Sequence, residues 1–339
     1  MKTNLGLDIG SHSIKLIELY RDGDTGTLRA AGAIATPPKS LSSTLAADHK
    51  ALADAVKQLV KQTGAKSTEV HVALPESQVF TRVIDVPQLS QHELSSAIKW
   101  EAEQYVPLPL DQVNLDFSIL RDGKETGTGK MEVLLVASPK ALIEKYITIL
   151  DMADLNPVGA ETEIIAASRA LVRSAPSVRN VMIVSLGAQT TDLAILRNGV
   201  LAFTRSISAG GEALSRALAQ SLDFNQLQAE EYKKTYGVDK SQLEGKIVAA
   251  IKPIMDTIIS EMKRAILFYQ EHNKNESAEV ILLSGGTARL PGMVLYIAEA
   301  TGIEVQLGNP WVGIRRDQRF AVLDPEGPTF TVAIGLSLR

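Results

Sequence analysis

The sequence predicts an α/β fold built from two related domains. Its 339 residues exceed what one hydrophobic core usually organises, so two domains are the default. Short apolar strands alternate with helical segments along the chain. The third observation is an internal repeat, because the segment LDIGSHS at positions 7–13 aligns without a gap with VSLGAQT at positions 184–190. The two copies lie 177 residues apart, about half of the chain.

Composition excludes several classes of protein. The net charge of −4, from 35 basic and 39 acidic residues, is unlike that of a nucleic-acid-binding protein. The absence of cysteine excludes disulfides, thiolate zinc sites and a cysteine nucleophile, and it suits a reducing compartment. We find no signal-peptide pattern and no apolar run near the roughly 20 residues that span a bilayer. We therefore expect a soluble, cytoplasmic protein whose membrane association is indirect.

The first predicted domain takes residues 1–86 and 157–179. It begins with two strands joined by the turn at 10–13, and apolar residues at helical spacing follow between 48 and 63. The strands predicted in this domain are Leu5–Ile9, Ile14–Leu19, Leu28–Ala35, Glu69–Leu74 and Gln78–Val86.

Residues 87–156 are predicted to form an inserted subdomain. Ser90 and Glu93 have the spacing of a capping box, which predicts the start of a helix that ends before Pro107. Two strands and a second helix follow, at Leu115–Leu120, Met131–Ala137 and 140–152.

The second predicted domain takes residues 180–215 and 278–335, with a helical subdomain at 216–277 between its two parts. Residues 336–339 are expected to return to the first domain. The dipeptide Asn198-Gly199 is a strong signal for a two-residue hairpin. The elements predicted here are the strands Val181–Leu186, Thr191–Leu196 and Glu279–Leu283 and the helices 226–236 and 243–273.

Each copy of the repeat is a strand, a glycine-led turn and a second strand. Consecutive backbone N–H groups in such a turn form an anion-binding concavity, and two turns on facing domains could hold a polyphosphate from both sides. A single turn of this kind is usually only a hairpin, so the matched pair carries the prediction. Lys15 adds a positive charge, and Asp8 could hold Mg²⁺ through water. A third glycine turn, Ser284–Thr287, follows a buried strand and could pack against a purine and its ribose.

These three motifs, in this order and spacing, resemble those of the superfamily of actin, hexokinase and heat-shock chaperone ATPases. Within it the chain resembles the PilM family of type IV pilus assembly proteins and, more distantly, the cell-division protein FtsA. The most specific segment is IKWEAEQYVP at residues 98–107, which looks like the W-E-A-E-Q-Y-I-P signature of the PilM family. The terminal segment AIGLSLR at residues 333–339 also resembles that family.

The resemblance implies an actin-like ATPase fold, with two ribonuclease H-like domains, inserted subdomains and ATP with Mg²⁺ in the cleft between them. It also implies a partner, the cytoplasmic N-terminal tail of a PilN-like inner-membrane protein, held in a groove beside the insertion. The residues predicted to contact the cofactor are Asp8, Gly10, Ser11, His12, Ser13, Lys15, Ser185, Gly187, Ala188, Gln189, Thr190, Gly210, Gly211, Glu230, Lys233, Gly285, Gly286 and Thr287, with Asp8 as the metal-binding residue.

The chain departs from the superfamily at Ser185, where an aspartate usually helps to organise Mg²⁺ and the attacking water. Serine cannot act as a general base near neutral pH, so we expect tight nucleotide holding with slow or absent turnover. Glu161 lies where the superfamily often has a catalytic Glu or Gln and is our candidate catalytic residue. A carboxylate favoured by a helix N-terminus explains Glu161 equally well.

Two interpretations remain open for the other residues that could contact a ligand or a partner. Glu230 and Lys233 resemble an adenosine-contacting pair of FtsA-like proteins, but an exposed i,i+3 ion pair is at least as good an explanation. Gly210-Gly211 could place N–H groups near phosphate or simply make a tight turn. Trp100 and Tyr105 on the inserted helix could anchor a partner or belong to the core.

Three functions compete. A nucleotide-binding scaffold of the pilus inner-membrane platform, peripheral to that membrane through its partners, fits the family signature and implies twitching motility. An FtsA-like filament protein is disfavoured because the chain ends at Arg339 without an amphipathic tail. A metabolic kinase needs a positioned base and a second polar pocket, which we do not find. Whether copies of the chain form a homo-oligomer stays open.

Overall fold

The computed structural model describes residues 2–22, 25–273 and 276–339. The strands are β1 (Lys2–Ile9), β2 (Ser13–Asp22), β3 (Thr25–Ala35), β4 (Glu69–Leu74), β5 (Phe80–Pro87), β6 (Val113–Arg121), β7 (Lys130–Pro139), β8 (Asn156–Thr162), β9 (Asn180–Leu186), β10 (Thr191–Arg197), β11 (Val200–Ile207), β12 (Val280–Ser284), β13 (Glu304–Leu307) and β14 (Ile314–Arg315).

The helices largely follow the predicted spacing of apolar residues. They are α1 (Ala46–Thr63), α2 (Gln91–Tyr105), α3 (Gly123–Thr126), α4 (Lys140–Met152), α5 (Glu163–Leu171), α6 (Gly211–Leu222), α7 (Gln226–Tyr236), α8 (Lys246–His272), α9 (Met293–Thr301) and α10 (Gly327–Ser337). Short 3₁₀ turns include Glu76–Gln78 and Thr287–Arg289. Within these described ranges, no helix is long and apolar enough to cross a membrane.

Two sheets carry the same strand pattern, which confirms the internal repeat. In the first sheet the order is β14-β3-β2-β1-β4-β8, and in the second it is β11-β10-β9-β12-β13. Each contains an antiparallel meander of three strands, followed by two strands that run parallel to the first strand of the meander. The predicted Asn198-Gly199 hairpin joins β10 to β11, with positive φ at both residues as a type I′ turn requires.

The insertion is a three-stranded antiparallel sheet, β5-β7-β6, covered by α2. Its core is filled from α2 by Leu94, Ile98 and Ala102, and the predicted capping box between Ser90 and Glu93 is present. These buried positions recur every four residues, so one helical face covers the sheet.

The packing of the elements suggests domain boundaries that differ from those predicted from the sequence. Strand β5 pairs with β7 and so belongs to the insertion, whereas α4 packs against α1 in the first core. The packing therefore favours an insertion at residues 80–139 over the 87–156 predicted above. Helix α10 also lies against β1, β2 and α5 of the first domain, so the return to that domain begins near residue 327, earlier than the predicted 336. The division into domains remains our proposal.

Glycine lets α10 approach the first sheet closely. A Cβ built on Gly6 of β1 would lie 2.2 Å from the carbonyl oxygen of Ala333, and one on Gly335 would lie 1.8 Å from that of Ala166. Any larger residue at these positions would push α10 away from β1 and α5.

Candidate functional site

A cavity of about 440 Å³ opens where the two sheets face each other. The predicted cofactor residues that line it are Asp8, Gly10, Ser11, His12, Ser13, Lys15, Ser185, Gly187, Ala188, Gln189, Thr190, Gly211, Glu230, Lys233, Gly285, Gly286 and Thr287. Gly210 is outside this lining and packs beneath it, since its Cβ would lie 2.7 Å from the carbonyl oxygen of Ala188. The fold thus brings together residues from three turns that are far apart in sequence.

The first turn is closed by a hydrogen bond from the Gly10 N–H to the Ser13 carbonyl at 3.1 Å. Asp8 and Lys15 are directly opposite on β1 and β2, and the Lys15 Nζ lies 3.1 Å from Asp8 Oδ2. Asp8 is buried. A carboxylate and an ammonium group are therefore presented side by side at the cavity wall.

The second turn repeats this geometry, with Gly187 N–H donating to the Thr190 carbonyl at 2.9 Å. Opposite Ser185 on the neighbouring strand lies Asp192, whose carboxylate accepts hydrogen bonds from Thr190 at 3.1 Å and Ser206 at 2.5 Å. Burial raises the pKa of Asp192 to about 6, although these hydrogen bonds lower it. Asp192 is the repeat counterpart of Lys15, again 177 positions later.

Asp192 corrects one inference from the sequence. The second turn does have a carboxylate beside it, on the strand next to the one that carries Ser185. Continuing the repeat alignment by two residues beyond Thr190 would have found it.

The predicted catalytic residue Glu161 does not reach the cavity. Its carboxylate receives two hydrogen bonds from Arg169, at 2.5 and 2.7 Å, and Arg169 also donates to the Gly335 carbonyl. Glu161 is therefore a structural ion-pair partner that helps to hold α10. The carboxylate that does line the cavity is Glu163, at the first position of α5. Sequence reasoning missed it.

Burial raises the pKa of Glu163 well above its usual value, and the carboxylates of Asp192, Asp8 and Glu76 add to this while Lys15 opposes it. A carboxyl group with a raised pKa in a cleft is a candidate general acid or base. Glu163 therefore replaces Glu161 as the candidate catalytic residue.

Glu230 and Lys233 form a network in which Lys233 is buried and Glu230 is partly exposed, instead of an exposed surface pair. Lys233 donates to the Gly211 carbonyl at 2.9 Å, to Ser215 at 2.9 Å and to Glu230 at 2.6 Å. Burial raises the pKa of Glu230, but hydrogen bonds from Lys233 and Ser215 outweigh it and bring the value to about 2. The network fixes α7 against the first turn of α6, at the wall of the cavity.

The third turn is bound to the second. Thr287 Oγ1 donates to the Gly187 carbonyl at 2.9 Å. Gly285 has φ +86°, and a Cβ there would lie 2.3 Å from the Leu186 carbonyl oxygen, so only glycine fits. No described atom lies within 4 Å of a Cβ built on Gly286, which leaves the cavity open at this point.

Glu76 is a further carboxylate that sequence reasoning missed. It is 5% exposed, and its Oε2 finds no hydrogen-bond partner among the described residues. Burial is the largest cause that raises its pKa to about 7; Asp192 raises it further, and contacts with Thr162, Thr81 and the Ile164 N–H lower it. The negative charge of Glu76 is therefore only partly compensated.

The burial of the Glu76 carboxyl group predicts that the stability of the nucleotide-free protein depends on pH. Glu76 titrates near 4.5 when unfolded and near 7 when folded, so the folded state binds more protons between these values and stability falls as pH rises through them. The cost above pH 7 is on the order of 3 kcal/mol. We expect Glu76→Gln to raise the melting temperature at pH 8 and to flatten its fall between pH 5 and 8, measured by calorimetry. An unchanged pH profile would contradict the assignment of this titration to Glu76.

The two aromatic candidates of the insertion differ in placement. Trp100 on α2 is 73% exposed, whereas Tyr105 lies beneath the Arg82 guanidinium, 4.5 Å from its ring centre. Ile98 and Val106 are core residues. Of these side chains, Trp100 is the one free to contact a partner.

The family model for type IV pilus assembly protein PilM matches residues 6–339. The chain belongs to the PilM family. A solved structure described as the PilM-PilN type IV pilus biogenesis complex superposes with a TM-score of 0.87 at 31% identity, covering 99% of this chain and 98% of that one.

More distant relatives agree on the fold. The cell division protein FtsA of Streptococcus pneumoniae is 24% identical over 91% of this chain and 76% of its own length. The structure of MreB 5 of Spiroplasma citri bound to AMPPNP matches with a TM-score of 0.52 at 14% identity, over 99% of this chain and 95% of that one. The PilM-family fold of this chain is therefore the actin-like ATPase fold predicted from the three turns.

Proposed function

We propose that this protein is a cytoplasmic ATP-binding scaffold of the type IV pilus inner-membrane platform. It binds ATP with Mg²⁺ in the cleft and the cytoplasmic N-terminal tail of a PilN-like membrane protein beside the insertion. Membership of the PilM family carries the proposal, and the convergence of three glycine turns on one cavity supports the nucleotide site. The protein is then held at the membrane by its membrane-protein partner.

The charges of the cavity suit a triphosphate and a divalent cation. Two matching turns supply backbone N–H groups from opposite walls, and Lys15 supplies a positive charge. The carboxylates of Asp8, Glu163 and Asp192 line the same space, and burial raises the pKa of the last two. A bound cation would relieve this repulsion, so the donor set fits Mg²⁺.

Mg²⁺ is expected to bind mainly through phosphate and water. Within the part of the chain that the structure describes, no group of three or more His, Cys, Asp or Glu residues is arranged to hold a metal ion directly. Mg²⁺ commonly keeps several waters and takes one or two carboxylates beside substrate phosphates. Asp8 is our proposed residue for that role, with Asp192 across the cavity.

The adenosine end of the cleft is assigned to the third turn and the Glu230–Lys233 network. The open backbone at Gly286 can lie flat against a purine, and the carboxylate of Glu230 can accept hydrogen bonds from ribose hydroxyls. Lys233 holds Glu230 in its ionised form, so this acceptor persists across physiological pH.

A filament-forming ATPase of the FtsA type is the second candidate, favoured by an FtsA relative that matches 91% of the chain. Light scattering with and without Mg²⁺ and ATP separates the two functions. Nucleotide-dependent filaments without affinity for a PilN-like tail would favour the FtsA-type function.

Nucleotide binding is tested at Gly286. Excess ATP with Mg²⁺ is expected to raise the melting temperature, because 100-fold excess over Kd stabilises the folded state by about 2.7 kcal/mol. Gly286→Asp places a negative charge in the open space of the third turn and should abolish the shift. Gly286→Ala adds only a methyl group there and is the matched control, which should keep it. No shift in the wild-type protein, together with no co-purifying nucleotide, would refute the site.

A further inference from the structure

A buried ionic cluster joins the insertion to the second domain. Glu132 on β7 accepts hydrogen bonds from Arg121 on β6, whose Nε lies 2.7 Å from Oε2. It also accepts one from Arg197 on β10 of the second sheet, at 2.5 Å. Arg197 in turn donates to Asn273, just after α8, at 2.6 Å. The three charged side chains are each less than one-fifth exposed.

The same face of the insertion makes apolar and backbone contacts with the second domain. Strand β5 lies against β11, and the Thr204 hydroxyl donates to the Thr81 carbonyl at 3.4 Å. Leu134 of β7 belongs to a core cluster that includes Ala194 and Leu196 of β10. The insertion is thus continuous in sequence with the first domain, packs on it through the same core cluster, and is attached to the second domain as well.

Strand β10 connects this attachment to the cleft. Asp192 lies at its cavity end and Arg197 at its other end, five residues away, or about 17 Å in a strand. Strand β10 is hydrogen-bonded on both sides, to β9 without a break and to β11 with one register shift between Ile195 and Leu196, and it is therefore held inside the second sheet. A change in the angle between the two domains must therefore either break the cluster or turn the insertion against the first domain.

We propose that the Arg121–Glu132–Arg197 cluster transmits nucleotide occupancy of the cleft to the insertion. Breaking it is costly, because removing one partner of a buried ion pair leaves an uncompensated charge. Closure of the cleft on a nucleotide then rotates the insertion relative to the first domain and reshapes the groove beside the insertion. This coupling rests on the nucleotide site and the partner groove proposed above. By linkage, a tail held in that groove changes nucleotide affinity by the same factor.

Hydrogen exchange with and without Mg²⁺ and AMPPNP tests the coupling without a partner. In the wild-type protein we expect the nucleotide to alter exchange at least about threefold both at the cleft turns and in β6–β7. Arg197→Met removes the ionic link to the second domain but leaves Glu132 paired with Arg121. It should keep the protection at the cleft and lose the response of β6–β7.

The matched control is Arg179→Met. Arg179 pairs with Glu276 at the same end of the second domain, 2.9 Å away, and makes no link to the insertion in that pair. This variant should respond as the wild type does. If Arg197→Met unfolds, Arg197→Gln removes the charge that pairs with Glu132 but keeps a polar side chain, and it should likewise lose the response of β6–β7.

Two results would overturn the coupling. One is protection of the cleft with no response of β6–β7 in the wild type, and the other is an undiminished response in the Arg197 variant. Absence of protection at the cleft itself would instead refute the nucleotide site, and the coupling with it.

Discussion

Glu163→Gln is expected to lower single-turnover ATP hydrolysis about 100-fold, the usual contribution of one positioned acid or base. Glu161→Gln should leave the rate within a few-fold of wild type. Glu163 lines the cavity at the start of α5, whereas Glu161 is held outside it by two hydrogen bonds from Arg169. Phosphate release with Mg²⁺ in excess measures both variants.

The control separates chemistry from folding. Glu161→Gln breaks the ion pair that helps to hold α10, so its melting temperature should fall while its rate per folded molecule persists. Wild-type turnover should itself lie below the enzyme median of about 10 per second, since this protein is proposed as a scaffold. Loss of hydrolysis in Glu161→Gln with full activity in Glu163→Gln would restore the assignment made from the sequence.

Glu163 lines the cavity and Glu161 does not for a geometric reason. In an uninterrupted strand, residues 161 and 163 would lie on the same face. The strand ends at Thr162, however, and α5 begins at Glu163, so the chain changes direction between them. The Glu161 side chain instead accepts a hydrogen bond from Arg169 of α5. A boundary between elements is known to within a few residues from sequence, and here one residue decides which carboxylate reaches the cleft.

The glycine turns were predictable because their chemistry is local. Gly10 and Gly187 each begin a turn closed by a hydrogen bond three residues later, and this pattern is visible in the sequence. The attachment of Arg197 to Glu132 joins residues 65 positions apart and depends on how the insertion sits against the second sheet. Likewise α4 packs on α1 and α10 packs on β1 through long-range contacts. No period or motif encodes these contacts, so the domain edges could not be derived from the sequence as the turns could.

Partner recognition is expected to depend on one side chain of the insertion. Deleting residues 94–107, the obvious test from the signature segment, would remove Leu94, Ile98 and Ala102 and with them the core of the insertion. Trp100 lies on the opposite face of α2 and is largely exposed, so its loss leaves that core intact. A point substitution is therefore the sharper experiment.

Trp100→Ala is expected to weaken binding of a PilN-like cytoplasmic tail peptide about 30-fold or more, the loss of 2 kcal/mol that defines an aromatic hot spot. An extended peptide that supplies main-chain hydrogen bonds still needs apolar anchors, and the indole offers a large rigid surface for one. Leu227→Ala, which removes an even more exposed apolar side chain from α7, is the matched control and should bind as wild type. Calorimetry with the synthetic tail peptide measures Kd for each, and the thermal shift with Mg²⁺ and ATP should persist in both. Unchanged affinity in Trp100→Ala would place the groove away from the outer face of α2, and the signature segment would then have a structural role alone.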